Sequence, residues 1–141
     1  MIEISAQAIH VEELVAAVTD PEAGAIATFI GTTRSFNRGR KVTRLEYQVY
    51  EEMAVAELEK IAGEICERWG ALGVAIKHRK GEVAVEEASV AIAVSTAHRR
   101  EAIAACRYAI DRLKEVAPIW KKEYFEDGEV WIGSLADCDH G

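Results

Sequence analysis

The chain has 141 residues, half of them hydrophobic and 29% charged, with a formal net charge of −7. That length supports one domain, residues 1–141, with a real hydrophobic core, and the acidic balance argues against a general affinity for nucleic acid or anionic membranes. The three cysteines, Cys66, Cys106 and Cys138, are odd in number and widely spaced, which excludes a disulfide framework or a CxxC pair and leaves them as reduced thiols.

The opening stretch MIEISAQAIH has neither a basic flank nor an uninterrupted apolar run. It reads as neither signal peptide nor membrane anchor, and a cytoplasmic protein is expected. Val11, Leu14, Val15 and Val18 recur at helical spacing until Thr19-Asp20-Pro21 stops them. Residues 24–30 form an apolar run of strand length, and Gly31 then marks a turn into a polar loop with Asn37 and Gly39. Thr43, Leu45, Tyr47 and Val49 alternate with polar neighbours, as on a strand with one buried face. These two strands are expected to form a hairpin with a basic tip.

From Glu51 to Trp69 the apolar positions Ala54, Leu58, Ile61, Ala62, Ile65 and Trp69 return every three or four residues, and Gly70 stands where a helix C-terminus favours glycine. Val74, Ile76 and His78 alternate with Ala75, Lys77 and Arg79, and residues 89–95 are rich in β-branched side chains. Both are read as strands, the second central in its sheet. A further helix runs from about His98 to Val116, with Ala102, Ala105, Cys106, Ala109, Ile110 and Leu113 inward, and Pro118 ends it. Residues 120–125 and 130–132 flank Asp127-Gly128, a hairpin turn signal. The fold class is α+β: two long helices packed on a mainly antiparallel sheet.

No GxSxG, HExxH, phosphate-binding glycine loop or GxGxxG occurs. What stands out instead is a set of cations at element boundaries. Arg34 follows a strand, His98 and Arg99 open the second long helix, Lys114 lies in its last turn, and Lys121-Lys122 follow Pro118-Ile119-Trp120. Taken singly, each has an ordinary explanation as a solvated charge or a complement to a helix dipole. Yet a helix N-terminus offers free N–H groups to an anion, which histidine and arginine would reinforce, and Lys114 sits at the edge of the buried stripe, where an amine is partly desolvated. Between Thr33 and Leu45 the charged residues are Arg34, Arg38, Arg40, Lys41 and Arg44, with no acid among them, so this loop is either an anion-binding segment or a solvated surface.

The blocks Gly31-Thr-Thr-Arg34, Leu45-Glu-Tyr47, His78-Arg-Lys-Gly-Glu82, Ser95-Thr-Ala-His-Arg99 and Lys114 through Pro118-Ile-Trp-Lys-Lys-Glu123 resemble, in order and spacing, the motifs of the molybdopterin synthase large-subunit family. The resemblance implies an α/β hammerhead fold, a homodimer, and a heterotetramer with two copies of a small ubiquitin-like sulfur carrier ending in a Gly-Gly thiocarboxylate. It implies conversion of a cyclic pyranopterin monophosphate to a dithiolene, with no cofactor or metal. By motif position, Lys114 and Lys121 correspond to the central catalytic pair. Thr32, Thr33 and Arg34 fall in the substrate pocket, His98 and Arg99 come from the other protomer, and Lys122 and Glu123 flank Lys121 in the same motif. The departures are mild: Ile110 stands where some relatives have methionine, and the Ser35-Phe36 loop and the end after Trp131 match least.

The residue inventory suits that chemistry. None of the cysteines lies in a matched block, and a thiocarboxylate borne by a partner removes the need for a persulfide. Carrier tail and pterin phosphate are both anionic, so clustered Lys and Arg would offset their repulsion. Two other readings use the same cations: a non-catalytic anion-binding adaptor, and an RNA-binding domain built on the 34–44 loop, where Phe36 is the one aromatic available for stacking.

Overall fold

The computed structural model describes residues 1–134. In chain order the elements are β1 (Ile2–Ser5), α1 (Val11–Val18), β2 (Ala25–Thr32), β3 (Phe36–Asn37), β4 (Arg40–Val49), α2 (Glu51–Trp69), β5 (Gly73–Arg79), β6 (Gly81–Ala84), β7 (Ala88–Thr96), α3 (Arg99–Val116), β8 (Ile119–Phe125) and β9 (Gly128–Ser134). The strands divide between two sheets, one ordered β1-β5-β7-β2, the other β3-β4-β8-β9 with β6 also paired to β4. Among the described residues only β1 and β5 run parallel, so the α+β reading with two long helices on mainly antiparallel strands holds. No helix among the described residues is long and apolar enough to cross a membrane.

The helices form where apolar spacing demands them. In α2 the stripe Ala54, Leu58, Ile61 and Ile65 is buried, and Gly70 closes the helix at φ 63° with its N–H on the Cys66 carbonyl, a left-handed conformation that a side chain would strain. In α3 half of the inward positions are alanines, Ala102, Ala105 and Ala109, which lets the helix lie close to β2 and β7 and beside α2. Ala117, held extended before Pro118, ends it. Leu58, Ile61, Ile65, Ile92, Leu113 and Ile119 meet in one core between the two sheets and these helices. A smaller cluster of Leu14 and Val18 on Ala75, Ala91 and Ala93 fixes α1 to the opposite face of the first sheet. Gly73 is required there, because a Cβ would stand 2.8 Å from the Val18 backbone.

The hairpin expected between the strand at 24–30 and the strand at 43–49 does not form. β2 pairs with β7 in the first sheet, whereas β4 pairs with β8 and β6 in the second. The basic tip belongs to a smaller hairpin of β3 and β4, with Asn37 opposite Arg40 and the turn residues Arg38 and Gly39 both at positive φ, 53° and 76°. That is the two-residue turn whose twist matches antiparallel strands. β7 is interior to its sheet, and β8 and β9 pair across the Asp127-Gly128 turn, both as expected.

His78, inside one of the matched blocks, is 1% exposed, edge-on to Tyr47, with Nδ1 2.7 Å from the Arg79 carbonyl, to which it donates. Burial pushes its pKa down from 6.5 to about 4. Above pH 6.5 neither folded nor unfolded chain protonates this ring; between 6.5 and about 4 the unfolded chain takes a proton that the folded one refuses. Stability should therefore decline as pH is lowered across that window, by about 3 kcal/mol in total from this residue. Urea midpoints measured from pH 7 to 4 should show this slope flattened in His78→Phe; an unchanged slope would mean that the buried ring is not the source.

Candidate active site

Chain direction decides which of the expected site residues can meet. β2 and β7 are antiparallel, with Ala25 opposite Thr96 and Thr32 opposite Ala88. α3 follows β7 after Ala97-His98 and packs back on β7 and β2, so it runs alongside β2 in the same direction. The end of β2, carrying Thr32, Thr33 and Arg34, therefore lies at the same end of the fold as the last turn of α3, carrying Lys114. His98 and Arg99, both exposed at the start of α3, lie at the other end. Fifteen helical steps lead from Arg99 to Lys114, about 22 Å at 1.5 Å per step. One chain alone does not bring these two groups together.

At the shared end, Thr33 is 4% exposed and its backbone is fixed on both sides, N–H to the Glu87 carbonyl at 3.1 Å and carbonyl from the Glu86 N–H at 2.8 Å. Glu87 is itself anchored, its carboxylate accepting from the Ala84 N–H at 2.7 Å and lying 3.9 Å from the buried Arg79 guanidinium. Thr32 and Arg34 on either side of Thr33 are exposed. Lys114 is half-buried, as its place at the edge of the apolar stripe requires.

β8 begins two residues after α3 ends and delivers the remaining residues in alternation. Ile119, Lys121, Glu123 and Phe125 share one face; Trp120, Lys122 and Tyr124 share the other. Glu123 is 3% exposed and accepts both Lys121, at 3.3 Å, and the Asn37 side-chain amide, at 3.0 and 2.8 Å to its two oxygens. Lys122 points away from this pair, with its ammonium 2.9 Å from Glu129 and over the Tyr124 ring at 5.1 Å. The hydrogen bond to Glu129 holds its pKa above the ordinary lysine value. The structure thus joins Lys121 with Glu123 and separates Lys122 from both.

The basic segment is largely neutralised. Arg40 pairs with Asp127 at 2.8 Å and stacks on Phe125, Lys41 pairs with Glu126 at 3.2 Å, and Arg44 pairs with Glu82 at 3.2 Å while covering Tyr124. Arg40, by its hydrogen bond, in turn lowers the Asp127 pKa. Among the described residues, no ion pair engages Arg34 or Arg38. A continuous electrostatic track for RNA does not survive this pairing.

Of the cysteines, Cys66 is exposed on α2, Cys106 is 5% exposed, and Cys138 lies outside the described residues. Burial pushes the Cys106 thiol up to about 11, which keeps it protonated and unreactive at neutral pH. Two residues in contact with this region, Asn37 on Glu123 and Arg79 beside Glu87, are not indicated by the sequence. Asn37 looks like any polar residue in a turn; Arg79 lies within a matched block, yet nothing in its spacing indicates that a strand would bury it.

Residues 4–116 match the family model described as MoaE protein. The Bacillus subtilis molybdopterin synthase catalytic subunit is 50% identical over 131 residues, 93% of this chain and 83% of that protein. The crystal structure of molybdopterin synthase from Staphylococcus aureus superposes with a TM-score of 0.89 at 41% identity, covering 93% of this chain and 96% of that one. A chain in the complex of subunits 1 and 2 of molybdopterin-converting factor from Helicobacter pylori shares the fold at TM-score 0.77 and 22% identity, over 92% of this chain and 88% of that one. With the family model over most of its length and a catalytic subunit 50% identical over 131 residues, the chain belongs to the MoaE family, the catalytic subunits of molybdopterin synthase.

Proposed function

We propose that this chain transfers two sulfurs to a cyclic pyranopterin monophosphate from the C-terminal Gly-Gly thiocarboxylate of a small ubiquitin-like carrier, giving the dithiolene of molybdopterin for the molybdenum cofactor. What supports this reading is the chain direction that sets Thr32–Arg34 and Lys114 at the same end of the fold, with the Lys121 strand beginning shortly after the helix that bears Lys114. Carrier tail and phosphate both arrive as anions, so a cationic, partly dry pocket reduces their repulsion and holds sulfur near the reacting carbon. Arg34 and the neighbouring Thr32 and Thr33 bind the substrate.

The thiocarboxylate sulfur attacks a side-chain carbon of the pterin, that carbon's bond to oxygen breaks with the oxygen leaving as the opened phosphate ester or as water, and pterin and carrier are left joined through a thioester. Lys114 orients the acyl group and moves the proton; Lys121, with Arg34, stabilises the negative charge that develops. Water then cleaves the acyl–sulfur bond, leaving sulfur on the pterin and an ordinary carboxylate on the carrier, and a second carrier repeats the step. Lys122 lies on the opposite face of β8 from Lys121, paired with Glu129, and acts on the substrate from that side. Glu123 serves the site by holding Lys121. His98 and Arg99, some 22 Å along α3 from Lys114 by helical rise, complete a site in a second protomer. That geometry supports a homodimer, and the fold shared with a chain of the two-subunit Helicobacter pylori complex is in keeping with assembly with the carrier, for which a heterotetramer is proposed.

The test uses a protein in which Cys66, Cys106 and Cys138 are all serine. Given thiocarboxylated carrier and cyclic precursor, it should still convert the pterin to a species with two added sulfurs, seen by mass spectrometry. A folded cysteine-free protein that makes no product, beside an active parent, would move the sulfur route onto this chain's own thiols.

A further inference from the structure

Glu123 is a carboxylate at 3% exposure, and a charge so far from water needs donors. It has two, of different kinds. Lys121, two residues earlier on the same strand face, approaches one oxygen at 3.3 Å, and the Asn37 amide reaches both oxygens, at 3.0 and 2.8 Å. Asn37 comes from another part of the chain. It sits in β3, three residues after Arg34, locked by its pairing with Arg40 and the tight Arg38-Gly39 turn.

We propose that Asn37 is a positioning residue for the sulfur-transfer site: its amide, chelating the Glu123 carboxylate, sets how tightly Glu123 holds the Lys121 ammonium and ties the Arg34 segment to the strand that bears Lys121. The inference rests on the reading of Lys121 as a site residue. A neutral donor that supplies the shorter contacts leaves the ammonium as the looser partner, so Lys121 can turn toward an incoming anion without abandoning a bare buried charge. Without the amide, Lys121 alone must compensate Glu123, and the ammonium is drawn into a closer pair and away from substrate. The same contact bridges the β2–β4 connection to β8 through side chains alone.

Two variants separate positioning from packing. Asn37→Ala removes the donor; Asn37→Asp keeps the shape but sets a carboxylate against a carboxylate. Each is measured by single-turnover conversion at saturating precursor, by carrier affinity, and by the rate at which acetic anhydride acetylates Lys121 relative to Lys122 in the folded protein, read by peptide mass spectrometry. Both should lose turnover by about tenfold or more with carrier affinity kept within a few fold. In both, acetylation of Lys121 should fall relative to Lys122, because the amine is more tightly paired. A loss of packing alone would leave that ratio unchanged or raise it. Wild-type turnover in Asn37→Asp, or lost turnover with an unchanged Lys121 ratio, overturns the proposal. Full turnover in Lys121→Ala would overturn the reading of the site beneath it, whatever the acetylation shows.

Discussion

Replacing Lys114 with alanine should lower single-turnover formation of the sulfurated pterin by about 10² or more, the scale of losing a positioned proton-transfer group, while carrier affinity stays within a few fold. The residue lies in the last turn of α3, half-buried beside Leu113, at the end of the fold where Thr32–Arg34 also emerge. Lys114→Arg should rescue poorly, since a guanidinium keeps the charge but is too weakly acidic to exchange protons and presents a wider head. If the residue served only as a fixed cation, arginine would return most of the rate. An adaptor that merely gathered anions would be indifferent to both changes in turnover, so full activity in Lys114→Ala would remove this residue from the mechanism.

The second large effect is a recovery. Arg99→Ala and Lys114→Ala should each be nearly inactive, yet a mixture allowed to exchange subunits should regain activity. In a mixed dimer, one composite site receives Lys114 from one chain and Arg99 from the other, both intact. Random exchange at equal amounts makes half the dimers mixed, each with one good site of two, so about a quarter of the parental activity is expected. The helix that carries both residues makes the same point, because some 22 Å of its length lies between them. With subunit exchange verified by mass, no recovery would put both residues in the site of one protomer.

Much of this fold is legible in the sequence because its largest signals are local. The spacing of Ala54, Leu58, Ile61 and Ile65, the glycine that ends that helix, the β-branched run ending at Ser95 and the Asp127-Gly128 turn each depend on neighbours a few residues away. Pairing partners are not local. The run at 24–30 and the alternation at 43–49 look like successive strands of one hairpin, but each finds its neighbours far along the chain, β2 beside β7 and β4 beside β8. β1, β3 and β6, of four, two and four residues, are too short for periodicity to show.

The site divides in the same way. The cations stood out by their place at element boundaries and their match to family motifs, but what each does depends on register. Alternation along β8 sets Lys121 on the face of Glu123 and Lys122 on the opposite face with Glu129, both side chains largely covered. The apparent cluster from Arg34 to Arg44 shrinks when Asp127, Glu126 and Glu82 arrive from distant segments to pair with Arg40, Lys41 and Arg44. Asn37 shows nothing in sequence because an amide in a turn is ordinary; only the fold sets a buried carboxylate against it.

The route of the sulfur can be followed by isotope. A carrier prepared with a ³⁴S thiocarboxylate is mixed with this protein and unlabelled cyclic precursor, and the pterin product is weighed. The product should carry two added sulfurs, both heavy, and the carrier should return with an ordinary C-terminal carboxylate. A product bearing unlabelled sulfur, or a precursor left unchanged by a competent carrier, would contradict sulfur transfer from the carrier.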